Sequence, residues 1–229
     1  MKRKLTVISA AVVLALAAAS SAQAALERVG PVNNAPNVGG FPAWYQDKSG
    51  VAFEFCAPET QAELDGGWCL LLPGDANIPE SFPANFFDEH FYYEAGNVLA
   101  DDGNGFRARL VIAQEAAFVN GAAVPGEQMV FTRLRVFIPG LPLGGNYRVV
   151  TPFSDVTYEN LAAGDRIFDT LDVGVACPAT FECSIDGPLG PFLLPSAAAG
   201  GAEVPPMPDL KTAPAGTDPW YDALVAGAV

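Results

Sequence analysis

The chain has 229 residues, 12 basic and 26 acidic for a net charge of −14, with 50% hydrophobic and 17% charged. That balance excludes a disordered acidic tail, since the apolar share suffices for a packed core. It also argues against a nucleic-acid partner, which would need clustered Lys and Arg. Glycine and proline, 23 and 20 residues, favour many turns over long helices.

The first segment carries Lys2, Arg3 and Lys4, an apolar run from Leu5 to Ala19, and the small residues Ser20 to Ala24 around an Ala-x-Ala site. This predicts a signal peptide over residues 1–24, cleaved after Ala24. The run is shorter than the roughly 20 residues that span a bilayer. The expected product is therefore secreted or periplasmic, with no membrane association after cleavage.

Residues 25–50, rich in Pro, Asn and Gly, are expected to form an irregular arm that packs down through Trp44 and Tyr45. Val51, Phe53 and Phe55 alternate as one face of a strand. Residues 57–68 read as a polar loop, and Pro73, Pro79 and Pro83 interrupt regular structure. A strand is predicted over residues 86–95, with Phe87, Phe91, Tyr93 and Ala95 inward and Asp88, His90, Tyr92 and Glu94 outward. After a turn at residues 101–105 come a strand over 106–112 and a single helical turn at 114–118. The strongest strand signal covers residues 129–138, with Val130, Leu134, Val136 and Ile138 on one face and Arg133 and Arg135 on the other. Further strands are expected over 147–151 and 167–175, and an extended or disordered tail from Pro188. Short strands with Gly/Pro turns predict an all-β, Greek-key β-sandwich over residues 51–195, followed by a Pro/Gly/Ala-rich tail over 196–229.

Four cysteines, an even number, suit an exported protein: Cys56, Cys69, Cys177 and Cys183. The expected pairing is local, Cys56 with Cys69 and Cys177 with Cys183. Their spacing and the single histidine argue against zinc, and no cofactor is expected.

Four constellations bear on function. Nucleophilic catalysis would have to use His90, with no G-x-S-x-G elbow and no free thiol expected. Asp88, His90 and Glu94 share one predicted strand face, and Asp101, Asp102 and Asn104 in the next turn are oxygen ligands suited to Ca²⁺. The same Asp-Gly and Asn-Gly pairs are also what a plain hairpin turn requires. Arg107 and Arg109 share a face, as do Arg133 and Arg135; if their strands pair, the guanidinium groups make one patch able to grip a carboxylate or sulfate. Cross-strand ion pairing with the abundant acids is the competing role for them. Trp44, Tyr45, Trp68, Tyr92 and Tyr158 are candidates for a sugar-stacking platform, although a core also needs aromatics.

The string Gly140-Leu141 to Asn146-Tyr147-Arg148-Val149 resembles the tyrosine-corner approach to a late strand in immunoglobulin-like and fibronectin-type sandwiches. Gly40-Phe41-Pro42-Ala43-Trp44-Tyr45-Gln46-Asp47 is similar to the opening of a group of secreted bacterial proteins of unknown function. Three later stretches resemble that group in the same order: residues 82–92, residues 130–136 and residues 187–193. In the group this region resembles an N-terminal module followed by further material, and this chain is expected to be a short member or a truncated reading frame. The resemblance implies no activity and no catalytic residues. The expected function is a non-enzymatic, structural or interaction module with an unidentified protein or glycan partner. The alternatives are a carbohydrate- or anion-binding module using Arg107, Arg109, Arg133 and Arg135, and a carboxylate-based hydrolase using Asp88, Glu89 and Glu94.

Overall fold

A computed structural model describes residues 26–48, 51–75, 77–99, 103, 105–151, 154–175 and 181–189. Its regular structure is almost entirely antiparallel β. The segment expected as an arm packs down through the fully buried Tyr45. Within it lie four short strands, β1 (Leu26–Val29), β2 (Val32–Asn33), β3 (Phe41–Pro42) and β4 (Trp44–Asp47). β4 sits between β1 and β5 (Ala52–Glu54) in a three-stranded sheet, while β2 pairs with β3. Strands of two to four residues are too short to display an alternation, so only their pairing reveals them.

Residues 57–68 contain a five-residue helix, α1 (Gln61–Asp65), where a loop was expected. Thr60 and Glu63 form a reciprocal capping box: the Thr60 hydroxyl accepts from the Glu63 amide, and the Glu63 carboxylate accepts from the Thr60 amide. The following turn brings Cys69 to Cys56, and the two are disulfide-bonded as predicted. This bond rules out any bridge from either of these cysteines to the late pair. Cys183 is also disulfide-bonded, while Cys177 lies outside the described residues.

The second layer is a four-stranded sheet in the order β11-β8-β7-β6, made by β6 (Glu89–Leu99), β7 (Ala108–Phe118), β8 (Gln128–Ile138) and β11 (Ile167–Val173). Between β8 and β11 the chain detours through a hairpin, β9 (Gly145–Val150) and β10 (Asp155–Leu161). The helical turn expected at residues 114–118 is strand instead. Gln114 pairs with Thr132 and Ala116 with Val130, so the long ladder to β8 overrides the local helix preference of the Ala/Gln/Glu run.

One face of this sheet carries the core of the sandwich. Ile112, Ala116, Val130 and Leu134 pack against Leu26, Phe41 and Tyr45 from the first layer and against Phe181 and Leu189. A second cluster, Val136, Ile138, Leu141 and Ile167, is covered by Tyr147, Val149, Tyr158 and Leu161 of the hairpin. Tyr147 donates its hydroxyl to the Leu143 carbonyl, four residues upstream, at 2.6 Å.

The facing of β6 departs from expectation. A β-bulge between Phe91 and Tyr93 inserts an extra residue against β7. His90 and Tyr92, expected outward, are buried in the aromatic core, and Phe91, expected inward, lies on the opposite face with Glu94. Asp88, His90 and Glu94 therefore do not share a face. The late 3-10 helix Glu182–Asp186 closes the inner side near Thr132, whose hydroxyl donates to the Ser184 carbonyl at 3.4 Å, and Tyr45 donates to the Phe181 carbonyl at 2.8 Å. Among the described residues no helix is long and apolar enough to cross a membrane.

Candidate functional site

The outer face of the four-stranded sheet carries a groove of about 340 Å³. Strand alternation places its lining. Arg133, Arg135 and Phe137 occupy every second position of β8; on β7, Arg109 pairs with Phe137 and Val111 with Arg135, while Glu115 lies two residues beyond Ala113, the partner of Arg133; Phe168 on β11 is opposite Phe137. β6 contributes Glu89, Phe91 and Glu94, and Arg166 reaches in from just before β11.

The β7–β8 pairing does join the predicted arginines on one face, but they are not equivalent. Arg133 forks onto Asp172, with Nε to Oδ1 at 2.8 Å and Nη2 to Oδ2 at 2.8 Å, and donates through Nη1 to Glu115 at 2.7 Å. These bonds and carboxylates hold its guanidinium firmly charged and leave little of it for a ligand. Arg107 precedes β7, is exposed and does not line the groove. Arg135 donates Nε to the Thr170 hydroxyl at 2.7 Å and has no carboxylate partner among the described residues. Its guanidinium lies 5.6 Å from the centre of the Phe168 ring. Arg166, missing from the predicted set, lies 4.8 Å from the same centre and 5.4 Å from that of Phe137. It too has no carboxylate partner among the described residues.

At the opposite corner are three carboxyls. Glu115 is almost fully buried, and its pKa is raised to about 8, chiefly by desolvation, against the pull of Arg133 and with the hydrogen-bonded Glu89 pushing further upward. Glu94 is also raised, first by burial and then by Glu89, with Arg109 opposing. Glu89 and Glu94 of the predicted hydrolase cluster thus meet in the groove, whereas the exposed Asp88 does not line it. Glu115 was missed because it lies in the stretch read as a helical turn.

The other expected constellations are not assembled. His90 is sealed from solvent, bonded to the equally buried Glu80 at 3.0 Å, and its ring lies 4.8 Å from Phe55 and 4.6 Å from Phe86. A nucleophilic site on a strand exterior is therefore excluded for it. Asp101, Asp102 and Asn104 lie outside the described residues. Among the described residues no group of three His, Cys, Asp or Glu side chains is arranged to hold a metal. The proposed sugar platform is dispersed: Tyr45 and Tyr92 are core, Tyr158 donates to Asp169 at 2.7 Å on the hairpin side, Trp44 packs over Gly30, and Trp68 is exposed beside the disulfide. Comparison with known protein families, curated proteins and solved structures finds no match.

Proposed function

We propose that this chain is an exported, non-enzymatic interaction module that binds an anionic ligand in the groove of its four-stranded sheet. The observation that carries this reading is the placement of Arg135 and Arg166 against one ring, Phe168, with no carboxylate beside either among the described residues. Two like charges held against one ring repel, and a bound anion relieves that repulsion. Of Arg135 only Nε is engaged, by Thr170, which leaves N–H groups of both guanidiniums for a carboxylate or sulfate.

Support for a binding role over hydrolysis comes from the carboxyls. Glu115 is buried and engaged by Arg133, and Asp88 does not line the groove, which takes two carboxyls away from a cleavage pair. Export is supported by the leader pattern of residues 1–24 and by the disulfide between Cys56 and Cys69. The sequence resemblance to secreted bacterial proteins is in keeping with it.

Titration calorimetry with sodium sulfate and with oligogalacturonate tests the proposal. Arg135→Ala combined with Arg166→Ala is expected to weaken binding by about a hundredfold, two charge-assisted contacts being lost. Arg148→Ala, which removes a solvent-exposed ion pair with Asp155 on the hairpin, is the control expected to bind normally. Unchanged affinity in the double variant overturns the anion site, and release of new reducing ends from the oligosaccharide overturns the non-enzymatic role.

A further inference from the structure

We infer that the anion is the carboxylate of an acidic saccharide, held with its sugar hydroxyls on the carboxyl corner of the same groove; this rests on the anion-binding reading above. The groove offers two chemistries at its two ends. Arg135 and Arg166, held against Phe137 and Phe168, form a cationic end, and Glu89 and Glu94 a polar one. A free inorganic anion would use the first alone. A uronate chain uses both, with carboxylate on guanidinium and hydroxyls donating to carboxylate oxygens.

Two features favour a saccharide over an acidic peptide. The site lies on a sheet face, where the backbone amides and carbonyls of β7 and β8 are occupied by strand pairing on both sides. A peptide therefore finds no main-chain partners and cannot add as a strand. The groove also crosses from β6 to β11, three strand spacings or roughly 14 Å, a reach suited to several linked rings. In addition, the acids do not cancel the cationic corner. The groove is lined by four arginines, Arg109, Arg133, Arg135 and Arg166, against three glutamates, Glu89, Glu94 and Glu115, the last of them held toward its neutral form by burial. The groove is thus locally cationic on a protein whose net charge is −14.

Calorimetry at pH 7 compares oligogalacturonate, a neutral galacto-oligosaccharide, sodium sulfate and oligoglutamate on the full chain. Oligogalacturonate is expected to bind at least about tenfold more tightly than each of the others. Glu94→Gln is expected to weaken oligogalacturonate about fivefold, a lost charge-assisted hydrogen bond, while sulfate binds as well or better. Sulfate binding as tightly as oligogalacturonate, or oligogalacturonate binding unaffected by Glu94→Gln, overturns the saccharide assignment and leaves the anion site standing. Oligoglutamate binding equally well replaces the saccharide with an acidic peptide. Absence of binding by every probe overturns both.

Discussion

Glu115 shows how one buried side chain can carry the pH response of a whole face. Its carboxyl keeps its proton up to about pH 8 in the fold, against a usual value of 4.5. The folded chain therefore holds a proton that the unfolded chain releases between those values. The stability tied to that proton is complete below pH 4.5 and is lost as pH rises through about 8. Glu115→Gln mimics the protonated form, so urea denaturation at pH 5 and pH 8 should show a smaller loss of stability in the variant than in the native chain. His90 is the second residue whose burial decides its role. Its Nε2 is bonded to Glu80, Glu80 in turn accepts the Phe87 amide at 2.9 Å, and no path leads to solvent. His90→Ala leaves a buried carboxylate without its partner and a void among Phe55, Phe86 and Phe87, and should cost about 3 kcal/mol or more in urea unfolding. A loss below 1 kcal/mol would contradict that account. Neither role was legible beforehand. A lone histidine in an alternating Phe/Tyr run looks exterior until the bulge at Phe91 and Tyr93 is known, and a bulge leaves no mark in a period-two pattern.

Among the elements, legibility followed length. β8, whose burial alternates strictly from Thr132 to Ile138, was predicted to within a residue at its start, and with it the placing of Arg133 and Arg135 on one face. The β1–β4 segment and β10 were not foreseen, because a two- to four-residue strand, or one such as β10 with Asp155, Glu159 and Asn160 among its residues, offers too little apolar rhythm. Arg166 could not be joined to the other arginines from sequence for a related reason: it stands one residue before β11, and only the pairing of Phe168 with Phe137 brings it over the groove. The local disulfide was legible because loop spacing alone favours near neighbours. It closes a separation of 13 residues around α1, and Cys56→Ser with Cys69→Ser should lower unfolding free energy by about 2–3 kcal/mol through the gain in denatured-chain entropy. An unchanged urea midpoint would show that α1 and its capping box hold this loop unaided.

At the scale of the molecule, the two layers are locked by contacts from opposite ends of the described chain. The 3-10 helix Glu182–Asp186 fits under β8 so closely that Gly187 has no room for a side chain: a Cβ there would fall on the Thr132 side chain, 2.5 Å from its Cβ. Gly187→Ala should therefore destabilise the fold by about 2 kcal/mol, the usual scale of overpacking, with a lower melting temperature as the readout. Phe181, Leu189 and the carbonyl that receives the Tyr45 hydroxyl belong to this same closing segment, and all three meet residues of the first strands. As the polypeptide emerges from a ribosome, Phe41 and Tyr45 meet Phe86, Tyr92 and Phe118 midway, but their last packing partners, Phe181 and Leu189, arrive only near the end of the described chain. The two layers can therefore close fully only late in synthesis, and until then a growing chain carries part of its inner face uncovered.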